Sequence, residues 1–360
     1  MNKKVTPAIS VYVGLAEYNN IENAKYMEKA QSLGIKDVFT SYHIPEALNN
    51  NNNGENFEAQ FKGLLKIAEK LNMKLIVDLS KKAYESFEIT KQIGALRLDY
   101  GFSKEEIVKL SYGNCKIELN ASTIKKDYLD ELVKMGLNTS NVRMSYNFYP
   151  KKYTALSYRQ MLERNKWFFE YGLEKMAYIP SNNMKRPPMY EGLPSIEETR
   201  DMPVKYAARL LAQAGIDVIG IGDAYASSDE LEELASLNTE IALIPIEICD
   251  NLSDEEMELL FTLNNSRTDQ GEYMIRSSKK SKTMIEPINV KKITPYDVCI
   301  DNALYKRYCG EVSIALKEME KSERVNVVGR VPYYGRVIVD NLKPGTTFKF
   351  IKEGILKNNE

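Results

Sequence analysis

Apolar and polar positions follow two alternating rhythms over the first two-thirds of the chain. Short runs rich in branched and aromatic residues recur at Ala8–Val13, Asp37–Ser41, Met73–Leu79, Leu96–Tyr100, Lys116–Asn120, Val142–Asn147, Met176–Pro180 and Val218–Gly222. Each has the length of a strand. Between them, apolar residues return at three- and four-residue spacing. Asn20–Leu33 does so through Ile21, Ala24, Met27, Ala30 and Leu33, and Gly34 is placed to end a helix. Phe57–Leu71 does so through Phe57, Phe61, Leu64, Leu65, Ala68 and Leu71. Tyr128–Met135 and Pro203–Ala214 stop at Gly136 and Gly215, and Ser103 with Glu106 and Ser227 with Glu230 have capping-box spacing. Strands separated by helices pair in parallel, because a parallel neighbour needs a crossover. Eight such units predict a (β/α)8 TIM barrel over residues 1–238, with its chemistry at the C-terminal ends of the strands.

The rhythm changes after Leu237. Ile241–Ile248 reads as a strand and Asp254–Leu263 as a helix. Tyr273–Arg276, Thr283–Ile288, Val298–Ile300, Glu311–Leu316, Arg324–Val331 and Arg336–Val339 then read as β segments divided by turn residues. This predicts a smaller, mainly β domain over 239–360, folded as a small barrel.

Bulk properties narrow the function. The 360 residues suit one barrel of about 250 residues plus a smaller domain. A net charge of −1 gives no basic surface for nucleic acid. No run approaches the ~20 apolar residues of a membrane helix, and no apolar core follows the N-terminal charges, so a cytoplasmic protein is expected. Cys115, Cys249, Cys299 and Cys309 are dispersed, which reads as reduced thiols rather than disulfides or zinc. His43 is the one histidine, so a multi-histidine metal centre is excluded. No cofactor and no metal are expected.

The candidate chemistry lies at the strand ends. The fourth run reads Leu96-Arg97-Leu98-Asp99-Tyr100 and the fifth Lys116-Ile117-Glu118-Leu119-Asn120. Side chains alternate faces, so Arg97 and Asp99 share one, as do Glu118 and Asn120, and all four would point into the barrel near its catalytic end. Charges inside a barrel cost several kcal/mol unless paired, so an ion pair that merely fills the barrel is the plain alternative to a site. Asp78, Asn147 and Asp223 end the third, sixth and eighth runs and extend the polar ring. His43 and Glu46 follow the second run, and His43 is expected to line the site. The run Asn49–Asn53 continues that loop and reads as a flexible connection. The long connection Ser181–Arg200 holds Lys185, Arg186 and Glu191. Connections of that length are often functional, and the two cations suit an anion.

Two inward carboxyl groups on neighbouring strands suit glycoside hydrolysis. Glu118 is the expected general acid, because no strand neighbour of opposite charge is evident. Asp99 is the expected nucleophile, because Arg97 on the same face would keep it ionised.

Ordered segments along nearly the whole chain resemble the bacterial 6-phospho-N-acetylmuramidase family. They include Phe39-Thr40-Ser41-Tyr42-His43-Ile44-Pro45-Glu46, Leu96-Arg97-Leu98-Asp99-Tyr100-Gly101-Phe102, Ile117-Glu118-Leu119-Asn120-Ala121-Ser122-Thr123, Asn147-Phe148-Tyr149-Pro150, Tyr190-Glu191-Gly192-Leu193-Pro194 and Arg324-Val325-Asn326-Val327-Val328-Gly329. The resemblance implies a TIM barrel followed by a cyclophilin-like β domain. It implies hydrolysis of N-acetylmuramic acid 6-phosphate from N-acetylglucosamine in cell-wall sugar recycling. The substrate would be a small phosphorylated amino-sugar disaccharide, whose 2-acetamido group could itself attack the anomeric carbon while Asp99 orients it. The chain departs from the family pattern at Ser145–Tyr146, Lys151–Tyr153, Ala155 and Ser181–Asn183. Two other readings compete: a metal-dependent sugar-phosphate isomerase or aldolase on the same barrel, and a non-catalytic binding protein. The β domain is expected to cover the barrel mouth or to form a homodimer.

Overall fold

The computed structural model describes residues 5–15, 17–42, 53–278 and 284–356. His43, Glu46 and Asn49–Asn52 lie outside the described residues. The chain divides into two compact units, residues 1–237 and 238–360.

In the first unit, β1 (Thr6–Ser10), β2 (Asp37–Ser41), β3 (Lys74–Leu79), β4 (Ile93–Leu98), β5 (Lys116–Asn120), β6 (Val142–Ser145), β7 (Glu174–Ile179) and β8 (Val218–Ile221) close into a barrel in chain order. Every neighbouring pair is parallel, β1 with β8 included. The crossovers are α1 (Asn20–Ser32), α2 (Asn53–Lys70), α3 (Lys81–Ser86), α4 (Lys104–Leu110), α5 (Lys126–Lys134), α6 (Tyr158–Glu170), α7 (Val204–Gln213) and α8 (Ser228–Ala235). Ser103 and Ser227 close reciprocal capping boxes with Glu106 and Glu230 at the starts of α4 and α8. Such a cap stabilises a helix by about 1 kcal/mol.

One irregularity positions the site. β4 carries an extra residue, Gly94, between the pairs Leu75–Ile93 and Ile76–Ala95. A Cβ at Gly94 would stand 2.9 Å from the Cβ of Lys74, so a side chain there would force the strands apart. The bulge sets the phase of the rest of β4. Ala95 then joins the interior cluster with Ala8, Phe39, Ile76, Met176 and Val218, and Arg97 follows on the same face.

The second unit holds one seven-stranded sheet, ordered β10-β15-β9-β14-β12-β13-β11. Its strands are β9 (Ala242–Ile248), β10 (Asn264–Asn265), β11 (Met274–Arg276), β12 (Asp297–Asp301), β13 (Val312–Ala315), β14 (Val325–Arg330) and β15 (Thr347–Ile355), with helices α9 (Asp254–Phe261) and α10 (Arg336–Asp340). The edges next to β10 and β11 meet at a single Ser266–Ser277 bridge, so the sheet curls toward closure.

Two expectations are corrected here. Arg336–Val339 is α10 rather than a strand, because burying the adjacent Ile338 and Val339 overrides their β-branched preference. The described part of Thr283–Ile288 forms no ladder; Ile288 N–H donates to the Asn326 side chain instead. β15, unread in the sequence, pairs in parallel with β9 and buries Phe348 and Phe350 on one face. No helix among the described residues is long and apolar enough to cross a membrane.

Candidate active site

Alternation along the strands turns a polar ring toward the upper end of the barrel. Arg97 from β4 is 6% exposed and donates through Nη1 to Asp78 Oδ1 of β3 at 2.6 Å. Its Nη2 donates to Asn147 Oδ1, two residues beyond β6, at 2.5 Å. Asn147 N–H donates to Ser122 Oγ at 2.9 Å, and Ser122 N–H donates to Asn120 Oδ1 at 3.0 Å. A continuous hydrogen-bonded run therefore crosses the ends of β3, β4, β5 and β6. Burial alone would weaken the Arg97 charge, but the Asp78 carboxylate, together with Tyr178 and Glu118, more than offsets this and holds the guanidinium above its ordinary value. Arg97 thus clasps Asp78, where the sequence pointed to Asp99.

Glu118 occupies a different environment from the one expected. The register sets Glu118 level with Arg97 on one side and Arg143 on the other. Arg143 donates to Glu118 Oε1 through Nε at 2.7 Å and through Nη2. Arg143 also lies 3.8 Å from Glu174, and Glu174 in turn pairs with Lys116. Glu118 is 0% exposed. The expectation that it lacks an oppositely charged strand neighbour is corrected by Arg143. Continued two residues upward, the register sets Asn120, not Glu118, beside Asp99. The signal for Arg143 was present: it alternates with Val142 and Met144 as Arg97 alternates with Leu96 and Leu98.

The connection after β7 forms another part of the rim. The Arg186 guanidinium lies 4.8 Å from the ring centre of Tyr12 and 5.2 Å from that of Phe148. Its Nε is buried without a hydrogen-bond partner. Lys185 is turned away to Asp201 at 3.1 Å. Asp223, just beyond β8, is fully buried and accepts backbone N–H bonds from Ser181, Arg186 and Leu193. Burial pushes its carboxyl above the ordinary aspartate value, partly countered by those three donors. It organises the loop. Glu191 also ties backbone, accepting from Lys152 N–H at 2.8 Å. The aromatic floor beneath Arg186 was not read in the sequence: Phe148 packs edge-on against Phe39 and Tyr178 at 5.7 and 5.3 Å. The Tyr12 hydroxyl donates to the Gly222 carbonyl at 2.5 Å, and burial pushes its pKa up to about 12.

Asp99 is exposed. It lines a cleft of about 280 Å³ over the ends of β4 and β5, together with Phe102, Asn120, Thr123 and Tyr128. Leu98 and Leu119, on the helix-facing side of β4 and β5, line it with Ile107 of α4.

Residues 8–236 match the N-terminal domain of 6-phospho-N-acetylmuramidase and residues 242–351 its C-terminal domain. The chain belongs to the 6-phospho-N-acetylmuramidase family. It is therefore a glycosidase acting on a phosphorylated sugar, and nothing favours an isomerase, an aldolase or a binding protein. Two solved structures are similar over both units. An uncharacterized protein of B. cereus shares 27% identity at a TM-score of 0.80, covering 98% of this chain and 100% of its own. A conserved protein of Enterococcus faecalis with an unknown function shares 28% identity at a TM-score of 0.71, covering 97% of each chain. No curated protein sequence matches the chain.

Proposed function

We propose that this 6-phospho-N-acetylmuramidase cleaves N-acetylmuramic acid 6-phosphate from N-acetylglucosamine at the barrel mouth, as a cytoplasmic step in recycling cell-wall sugars. The observation that carries the site assignment is the Asp78–Arg97–Asn147 run, with Asp99 just past the end of β4. The logic that favoured Asp99 as the ionised carboxylate passes to Asp78, because Asp78 is the group Arg97 holds. Asp78 is the nucleophile, or it orients the 2-acetamido group as that group attacks the anomeric carbon. Asp99 gives its proton to the departing glycosidic oxygen and later takes one from the water that completes hydrolysis. Glu118, shut off from water and paired with Arg143, supports the barrel and leaves the acid role to Asp99.

Arg186 is the cation for the 6-phosphate. Its guanidinium is fixed over two aromatic rings, keeps an unpartnered Nε, and stands on the connection after β7, where barrels often hold phosphate. The curled sheet of the second unit is read as cyclophilin-like, without prolyl isomerase activity.

Leaving-group dependence tests the roles. The disaccharide and the glycosyl fluoride of the same 6-phosphorylated sugar are compared in Asp78→Asn, Asp99→Asn and Glu118→Gln. Asp78→Asn should be severe on both substrates, while Asp99→Asn should be severe on the disaccharide and mild on the fluoride. Equal loss on both substrates in Asp99→Asn, with Glu118→Gln selective for the disaccharide, would return the acid role to Glu118.

A further inference from the structure

The cleft beside Asp99 is unused by the chemistry described so far. Its walls come from the β4–α4 and β5–α5 loops, and the phosphate-side loop follows β7 on another part of the rim. At about 280 Å³ it is at the small end of ligand pockets and has room for about one sugar ring. Its lining combines the aromatic side chains Phe102 and Tyr128 with the polar Asp99, Asn120, Thr123 and Lys125. One acid and one base leave no net charge, so it suits a neutral ligand.

Tyr128 is half-buried and held in place. The Lys104 ammonium lies 5.0 Å from its ring centre and is itself anchored to Glu131. Phe102 is braced edge-on by Tyr84 at 5.7 Å. Asn120 is fixed through Oδ1 by the Ser122 N–H, which leaves its amide N–H₂ as a donor group. Rigid aromatic walls with a few fixed polar groups suit a pyranose, which offers an apolar C–H face and a polar hydroxyl rim.

We infer that this cleft is the subsite for the leaving sugar, a neutral N-acetylated hexosamine, with Tyr128 as its specificity-determining wall. The inference rests on the proposed role of Asp99: an acid that protonates the glycosidic oxygen must stand between the cleaved sugar and the leaving one. The cleft adjoining Asp99 is then where the leaving ring lies, with its uncharged face against Phe102 and Tyr128.

The full-length chain is assayed with two substrates of the same phosphorylated sugar, the disaccharide and the glycosyl fluoride, which has no leaving ring. Tyr128→Ala should lower kcat/KM for the disaccharide on the order of tenfold and leave the fluoride unchanged. Tyr128→Phe should retain most of the disaccharide activity, because the ring is what makes the wall. Unchanged fluoride turnover also reports an intact fold. If Tyr128→Ala does not fold, Thr123→Trp, which fills the cleft from an exposed position, should give the same selective loss. Equal losses on both substrates, or no loss on the disaccharide, overturn the subsite. Failure of the wild-type chain to cleave either substrate would instead overturn the proposed function.

Discussion

Two clusters of buried charge lie in one barrel, at different depths, and they differ in what remains open. The deeper one joins Glu118 to Arg143, with Glu174 and Lys116 closing the set. The upper one joins Asp78 to Arg97 and Asn147. Both obey the rule that a charge inside a protein needs a partner. In the deeper cluster Glu118 is shut away from water. In the upper cluster Asp78 keeps 13% of its side-chain surface exposed, and the rim residues Asp99 and Arg186 stand at the same end of the barrel. Residue type and strand parity are shared by the two clusters; access is what differs.

Four outcomes would sharpen or break this contrast. The largest effect is expected at the mouth. Asp78→Asn should cut kcat by on the order of 10³, and it should cost less stability than Glu118→Gln, because Arg97 keeps its hydrogen bond to Asn147. A small rate loss with a large fall in stability would place Asp78 with the deeper cluster.

Glu118→Gln should do the reverse. Leaving Arg143 buried without its carboxylate should cost about 3–5 kcal/mol in denaturant unfolding, with kcat of the folded fraction near that of the parent. The double variant Glu118→Leu with Arg143→Met should recover much of that loss, since a well-packed apolar pair replaces an ion pair without leaving an orphan. If the double variant is no more stable than the single one, the deeper cluster does more than fill space.

Arg186→Ala should raise KM for the phosphorylated disaccharide by roughly tenfold or more relative to the unphosphorylated one, reflecting a lost charge-assisted contact of about 1.5–3 kcal/mol. Equal effects on the two would move the phosphate to another cation.

The smallest effect concerns pH. Burial raises the Asp223 carboxyl above its ordinary value. The folded state therefore binds this proton more tightly than the unfolded chain. The stability this gives is fully present below the unfolded value of about 3.9 and is lost as pH rises through the raised folded value. The melting temperature of the parent relative to Asp223→Asn should be most favourable at the acid end of that window and decline toward neutrality. A difference that grows with pH would mean the three backbone donors outweigh burial.

Much of this molecule was legible in its sequence. Period-two runs such as Lys116–Asn120 and the glycine-stopped helices between them determined a barrel, because only strands separated by crossovers can pair in parallel. The capping boxes at Ser103 and Ser227 were readable because they depend on residues three apart. Position near the ends of their runs also placed Arg97, Asp78 and Asn147 at one end of the barrel, since all eight strands run the same way. The departures arose where distant residues decide. Ile338 and Val339 look like strand residues but lie in a helix, because burial settles what propensity only biases. Whether Arg97 would clasp Asp78 or Asp99, and whether Glu118 would reach the mouth or meet Arg143, depended on register between strands far apart in the chain. The extra residue at Gly94 sets that register for β4. Sequence fixes which face a side chain takes; only the closed barrel decides how deep it lies and which partner it meets there, because depth is set by the stagger of eight strands together.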